Sequence, residues 1–406
     1  MSQENPASIA QPPAHSSPEE TAHSIFSAAL RAQLPVALWR LPNGTEVQAV
    51  VAAQLADALP PLEGPTRGFA FCPFQPSENA PVLFLPAQLY FSGKADAVPE
   101  KGEGHLPSQF WADLEKTAAK PTVGGGWPSH PGGAAKAIPR DAFEQTVATA
   151  VKAMQEGCLE KVVLSRTKTL PLFEGFDLLQ AFTQLTRLYP TAFVSLVAIP
   201  GVGTWLGATP ELLVQIDRHQ VFRTVALAGT QPLVDGLTPA DAIWRQKEIE
   251  EQALVQRYVV SCFRHLRLHE YVEMGPRTVR AGNLLHLRTD FSAAMAEVGF
   301  PKLGTHMLEL LHPTSAVGGM PKAAALQMIN QLEGHDRRYY SGYLGPVQVG
   351  QETNLFVNLR CVELGAHTVT AYAGAGMTAD SNPAQEWQET ELKMQTVLRL
   401  FQASES

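Results

Sequence analysis

From about Thr21 to Lys120, short apolar runs alternate with proline and glycine. Residues 36–39, 47–51 and 81–85 read as strands, because β-branched, aromatic and other apolar residues between turn formers fit a pleated, half-buried surface. The pattern breaks at a Gly/Pro-rich stretch, residues 121–138, which contains Gly124-Gly125-Gly126 and Pro131-Gly132-Gly133 and reads as a loop. Beyond it the period changes to that of a helix. Phe143, Val147, Ala150, Val151 and Met154 recur at helical spacing over residues 140–157, and Gly157 stops the run.

Apolar runs at 161–165 and 192–199 predict two more strands. Residues 241–263 predict a long helix, with Ile243, Ile249, Leu254, Tyr258 and Val259 available for the core, and residues 322–332 and 384–401 predict two more. Strands and helices come in mixed runs without strict βαβ alternation. That favours an α/β chain of the α+β kind with antiparallel sheet, and there is no repeat at solenoid periods. The expected organisation is a disordered leader over 1–20, an N-terminal part of the sheet system over 21–120, the loop over 121–138 and a motif-rich core over 139–403.

Composition narrows the function. With 406 residues, 45% hydrophobic and 17% charged, the chain can bury a large core. A net charge of −8 argues against general nucleic-acid binding, and an anionic substrate would need a local positive island or a metal. Cys72, Cys158, Cys262 and Cys361 are widely spaced without metal-ligand spacing, so buried reduced thiols in a cytoplasmic setting are expected. The Ser/Pro/Glu/Gln-rich start has no basic segment or apolar core of a signal peptide, and no run of about eighteen apolar residues exists to enter a membrane.

Two carboxylate pairs stand out. Glu248 and Glu251 lie three apart on one predicted helix, and Glu386 and Glu389 lie three apart on another, so each pair shares a helical face. Two such faces meeting would make an oxygen-rich site for Mg²⁺; two solvated acidic faces are the plain alternative. The second pair follows the turn Asp380-Ser381-Asn382-Pro383, where free helix amides favour negative groups. Lys161 opens a buried strand, where it could serve as a base if desolvated or could snorkel to solvent. Glu211, between Pro210 and an apolar strand, is a candidate general acid or a strand-edge glutamate.

Arg360 lies in the strand-like run 355–362 and needs a carboxylate partner, either a protein acid or a substrate. Gly374-Ala375-Gly376 and Ala228-Gly229-Thr230 follow strand-like runs and could present backbone N–H groups to an anion, or simply end the strands. His312 has no partner histidine at metal spacing and reads as a hydrogen-bonding core residue.

The order of these motifs resembles the catalytic core of the chorismate-utilising enzymes, the family of isochorismate, salicylate and anthranilate synthases. The motifs are Lys161-Val162-Val163-Leu164-Ser165-Arg166, Ala208-Thr209-Pro210-Glu211, Ala228-Gly229-Thr230, Lys247-Glu248-Ile249-Glu250-Glu251-Gln252 and the block over 312–393, and together they span about residues 140–400. The resemblance implies a single large domain of two stacked, mainly antiparallel sheets flanked by helices. It implies that Lys161 activates water and that Glu211 protonates the departing ring hydroxyl. Glu251 and Glu389 would hold Mg²⁺, with Glu248 and Glu386 in support. Arg360 and Tyr340 would bind the enolpyruvyl carboxylate of chorismate, with Thr230, Ala316, Gly374, Gly376 and Lys393 around the anion.

Within that family, Lys161 implies water rather than ammonia as nucleophile, and hence no glutaminase subunit. Ala228 stands where one class carries a nucleophilic lysine, and Ala316 where salicylate synthases usually carry threonine. The expected reaction therefore stops at isochorismate, with menaquinone as the expected outlet and a siderophore as the alternative, in a monomer with no nucleic-acid or membrane partner. Gln252 departs from relatives in which histidine is common, and Gln231-Pro232 from those with an arginine-containing run.

Overall fold

A computed structural model describes residues 17–94, 97–116, 126–233, 238–281 and 284–402. Two antiparallel sheets organise the chain. The ten-stranded sheet runs, in spatial order, through Gly319–Met320, Lys161–Pro171, Thr368–Met377, Cys361–Leu364, Gly203–Thr209, Phe193–Ile199, Val36–Arg40, Gln48–Val51, Leu89–Phe91 and Glu100–Lys101. The eight-stranded sheet runs through Val272–Ala281, Leu284–Ala294, Val221–Pro232, Leu212–Ile216, Thr353–Val357, Tyr343–Val347, Gly68–Cys72 and Leu83–Pro86. The chain is thus α+β, and the strands before the loop enter both sheets.

The sheets meet over an aromatic layer that includes Trp39, Phe69, Phe71, Phe193, Trp205 and Phe356, all nearly or fully buried. Phe193 stacks on Phe356 across the two sheets at 4.3 Å between ring centroids. Helices Pro18–Arg31 and Leu178–Leu188 cover the outer face of the ten-stranded sheet, and helices Gln246–His265 and Leu303–Leu311 cover that of the other. The central strands are therefore buried on both faces, which is why a strand such as Phe193–Ile199 is buried at every position rather than alternately.

Several expectations need correction. The first helix begins at Pro18, capped by the Ser17 hydroxyl, so the expected leader is too long by a few residues; residues 1–16 lie outside the described ones, as do 121–125 of the expected loop and 403 at the end of the expected core. The long helix starts at Gln246, after a short turn at Pro239–Asp241. Ile243 and Ile249 are exposed, not core, because the buried face of that helix is carried by Gln252, Val255, Val259 and Phe263. Arg360 is in no strand: it sits at φ +50° between Thr353–Val357 and Cys361–Leu364. All four cysteines are free, but Cys158 is exposed where burial was expected, since it follows the helix-ending Gly157.

Candidate active site

Two chain crossings between the sheets build the floor of a cleft. After Thr209 the chain leaves the ten-stranded sheet and enters the other at Leu212, carrying Glu211 in the step. After Val357 it passes back and re-enters at Cys361, carrying Arg360. The crossings are bonded together. The Thr209 hydroxyl donates to Val357 O at 2.7 Å, the Val357 N–H to Glu211 O at 3.0 Å, and the Ala208 N–H to Arg360 O at 3.1 Å. A buried acid and a buried cation are therefore fixed side by side by backbone geometry.

The cleft spans about 670 Å³ counting its open mouth, a size suited to a small ligand. Of the residues singled out from sequence, Glu211, Thr230, Glu251, Ala316, Tyr340, Arg360, Gly374, Gly376 and Lys393 line it. Lys161 and Glu389 adjoin it through ion pairs with the lining residues Glu251 and Lys393, whereas Glu248 and Glu386 are not among the lining residues and pair with Arg245 and Lys247. Lys161 Nζ lies 3.0 Å from Glu251 Oε1 with its side chain fully buried, so it does not snorkel. Lys247 Nζ lies 2.6 Å from Glu386 Oε1, and Lys393 Nζ 2.6 Å from Glu389 Oε1. Arg245 pairs with Glu248 at 2.5 Å.

Two helices supply the four carboxylates. Helix Gln246–His265 is pinned to the sheet by Gln252, whose amide donates to Ala226 O at 3.2 Å and to the Thr289 hydroxyl at 3.1 Å. The departure at Gln252 thus has a local packing role. Helix Pro383–Leu398 starts at Asn382, whose side chain accepts from the Ala384 and Gln385 amides, with Pro383 preset for the first turn. It is held against strand Lys161–Pro171 by Arg166, which lies 3.5 Å over the Trp387 ring and bonds Thr390 and Glu391.

The electrostatics separate the groups. Burial pushes the Glu211 carboxyl up to about 7, only partly opposed by Lys161, Lys393 and Arg360; among the described residues no cation comes within ion-pair distance of it. For Glu251 the upward push of burial is outweighed by Lys161 and Lys393, leaving it below the usual range. Burial and the neighbouring Glu389 raise Glu386. Arg360 has no carboxylate within ion-pair distance among the described residues; its closest polar partners are Lys393 O at 3.4 Å and the Thr396 hydroxyl at 3.5 Å. A buried guanidinium with weak protein partners is a ready site for an incoming carboxylate.

Gly374 and Gly376 were expected at a strand-end turn. They lie inside strand Thr368–Met377, opposite Ser165 and Val163. Their contribution is room: a β-carbon at Gly376 would stand 2.6 Å from Glu251 Oε1, and one at Gly374 would stand 3.1 Å from the Tyr340 hydroxyl. Gly229 sits at φ +65° in a bulge of Val221–Pro232, a conformation that suits glycine, and this bulge turns Thr230 to the cleft. His312 Nε2 donates to Pro73 O at 3.0 Å, as a core residue does.

The sequence reading missed His286. It lines the cleft, its Nδ1 meets Gly229 O at 2.9 Å, and burial together with Arg360 pushes it down to about 3, so the ring is neutral. With Nδ1 donating to the carbonyl, buried Nε2 is an acceptor without a partner. A lone histidine in the apolar run 284–287 signals this only once the sheet order is known.

The cleft thus joins an acidic rim, Glu251 and Glu389, to a buried guanidinium, Arg360. The family model described as "Chorismate binding enzyme" matches residues 107–402, and the chain belongs to that family. It is 31% identical to the isochorismate synthase EntC of Escherichia coli K12 over 272 residues, 66% of this chain and 68% of the relative. It is 33% identical to the salicylate biosynthesis isochorismate synthase of Pseudomonas aeruginosa over 277 residues, 67% of this chain and 57% of the relative. The solved structure of MenF, the menaquinone-specific isochorismate synthase of Escherichia coli, superposes with a TM-score of 0.74 at 25% identity, covering 93% of this chain and 91% of that one. Among the described residues no helix is long and apolar enough to cross a membrane.

Proposed function

We propose that the protein is an isochorismate synthase that adds water at ring carbon 2 of chorismate and expels the carbon-4 hydroxyl. Three isochorismate synthases among its relatives support the reaction class. The observation that carries the assignment is the placement of Lys161 and Glu211 about one cleft, with Glu211 held neutral up to about pH 7.

In this reading Lys161 takes a proton from the attacking water as its oxygen bonds to carbon 2. The ring double bonds shift, the carbon–oxygen bond at carbon 4 breaks, and Glu211 gives its proton to the departing hydroxyl. One water enters and one leaves, so the product is an isomer of the substrate. Arg360 and Tyr340 hold the enolpyruvyl carboxylate. Lys393, Thr230 and the open faces of Gly374 and Gly376 shape the remaining anion site, beside Ala316.

Glu251 and Glu389 would hold Mg²⁺, with Glu248 and Glu386 in support. The donors are all carboxylate oxygens, as a hard cation prefers, and the buried Oε2 of Glu386 has no partner. Among the described residues no three such groups already converge as a metal cage. When bound, the ion would supply positive charge to the ring carboxylate of the substrate. The proposed outlet is menaquinone, supported by likeness over nearly the whole chain to a menaquinone-specific synthase.

Incubation of the purified protein with chorismate, with Mg²⁺ or with EDTA, tests the reading by chromatography. Isochorismate formed with Mg²⁺ and not with EDTA is expected. Salicylate and pyruvate would replace it with a synthase–lyase, and product only on adding ammonia would remove water as nucleophile.

A further inference from the structure

Four carboxylates on the acidic rim face four basic side chains: Lys161 with Glu251, Arg245 with Glu248, Lys247 with Glu386 and Lys393 with Glu389. The proposed chemistry uses Lys161 and Lys393. It gives Lys247 nothing to do, yet Lys247 holds a central place. Its ammonium is 2.6 Å from Glu386 Oε1 and within electrostatic reach of Glu389 and Glu251. Those are the same oxygens the proposed function gives to a metal ion.

The reason for a cation there is plain. Glu386 is fully buried, its Oε2 is unpartnered, and the like charge of Glu389 is close by. An uncompensated buried carboxylate is costly, so the metal-free protein needs a positive group at this point. Lysine suits a temporary occupant, being a compact charge on a flexible stem. The Lys247 side chain keeps 29% of its exposure, enough to leave toward solvent, whereas Lys161 keeps none.

We infer that Lys247 is an internal counter-cation, which neutralises the Glu386 end of the cluster in the metal-free enzyme and is displaced when a divalent ion binds. This rests on the metal reading above. Ammonium and ion compete for one set of oxygens, so the apparent metal affinity is the intrinsic affinity reduced by the work of removing the lysine. Charge makes a second demand. Exchanging the Lys247 ammonium for a divalent ion raises the charge of the rim by one, and an anionic substrate offsets that excess. Metal and substrate therefore strengthen each other's binding, reciprocally.

Mn²⁺ titration followed by electron paramagnetic resonance, on the wild type and on Lys247→Met, Lys247→Gln and Lys247→Arg, tests this without turnover. Lys247→Met and Lys247→Gln should bind Mn²⁺ about tenfold more tightly or better, while their metal-free forms melt lower and gain more from the ion. Gln keeps a donor for Glu386, so it guards against loss of folding in the Met variant. Lys247→Arg, which keeps the charge, should bind no more tightly than wild type. Unchanged or weaker affinity in both neutral variants, with the wild type binding normally, would overturn the counter-cation and leave the metal reading intact. Failure of the wild type to bind Mn²⁺ even with chorismate present would remove both.

Discussion

Glu211 and Glu251 are the same side chain in one cleft, held in opposite states. Glu211 comes from a crossing between the sheets, beside the Thr209 hydroxyl and without an ion-pair partner among the described residues, and burial lifts it to about 7. Glu251 comes from a helix face and meets Lys161 at 3.0 Å, which keeps it ionised. The difference teaches how one fold keeps an acid and an anion a short distance apart. The crossing buries a carboxyl without an ion pair among the described residues, while the helix faces bring carboxylates into contact with cations. Pairs of titratable groups pushed apart by their surroundings mark where protons are given and where charge is held.

The strongest way to break that comparison is to remove the lysine on the ionised side. Lys161→Ala should lower turnover by about 10³-fold or more while chorismate binding stays measurable by calorimetry. Near-normal turnover would take Lys161 out of the mechanism. Glu211→Gln removes the neutral acid and should cost about 10²–10³-fold in kcat. In the wild type, kcat/KM should fall as pH rises through about 7, because the free enzyme then loses the Glu211 proton. A profile without that limb would assign the acid elsewhere.

A steric test sharpens the same contrast. In Gly376→Ala the new β-carbon would stand 2.6 Å from Glu251 Oε1 and 3.2 Å from Lys161 Cε, forcing that ion pair to move. Turnover should drop by about tenfold to a hundredfold with the circular dichroism unchanged. Gly374→Ala meets the Tyr340 hydroxyl and Leu164 O instead, so its effect should appear in KM.

Stability gives the smallest effect and the clearest sign. Folding raises Glu211 from the usual 4.5 to about 7, so the folded protein keeps a proton that the unfolded chain has lost between those values. Its contribution is fully present below 4.5 and is lost as pH rises toward 7. Glu211→Gln should therefore raise Tm by a few degrees at pH 8 and leave it nearly unchanged at pH 4, by calorimetry. Equal shifts at both values would mean that burial is not the cause.

Much of this was legible in the chain. The spacing of Glu248 with Glu251 and of Glu386 with Glu389 sets helix faces locally, and the turn before Pro383 marks where the second face begins. Strand positions followed from apolar runs that are buried at successive positions because both faces of the central strands are covered. The rest depends on contacts between distant segments. Arg360 looked like a strand residue because nothing local reveals that the chain changes sheets between Val357 and Cys361. The glycines at 374 and 376 looked like a turn because their use, leaving room for Glu251 and Tyr340, belongs to partners far away in sequence. Ile243 and Ile249 matched an apolar rhythm on a helix that begins later and buries a different face. Lys247 and His286 acquire meaning only when the rim carboxylates and the bulge at Gly229 are in place.

The most direct test of water activation opposite a neutral acid is turnover of chorismate in ¹⁸O-labelled water, with the product read by mass spectrometry. Isochorismate formed after brief conversion should carry one ¹⁸O, located at carbon 2. Unlabelled isochorismate would mean that the substrate's own hydroxyl migrates, and the roles given to Lys161 and Glu211 would fall together.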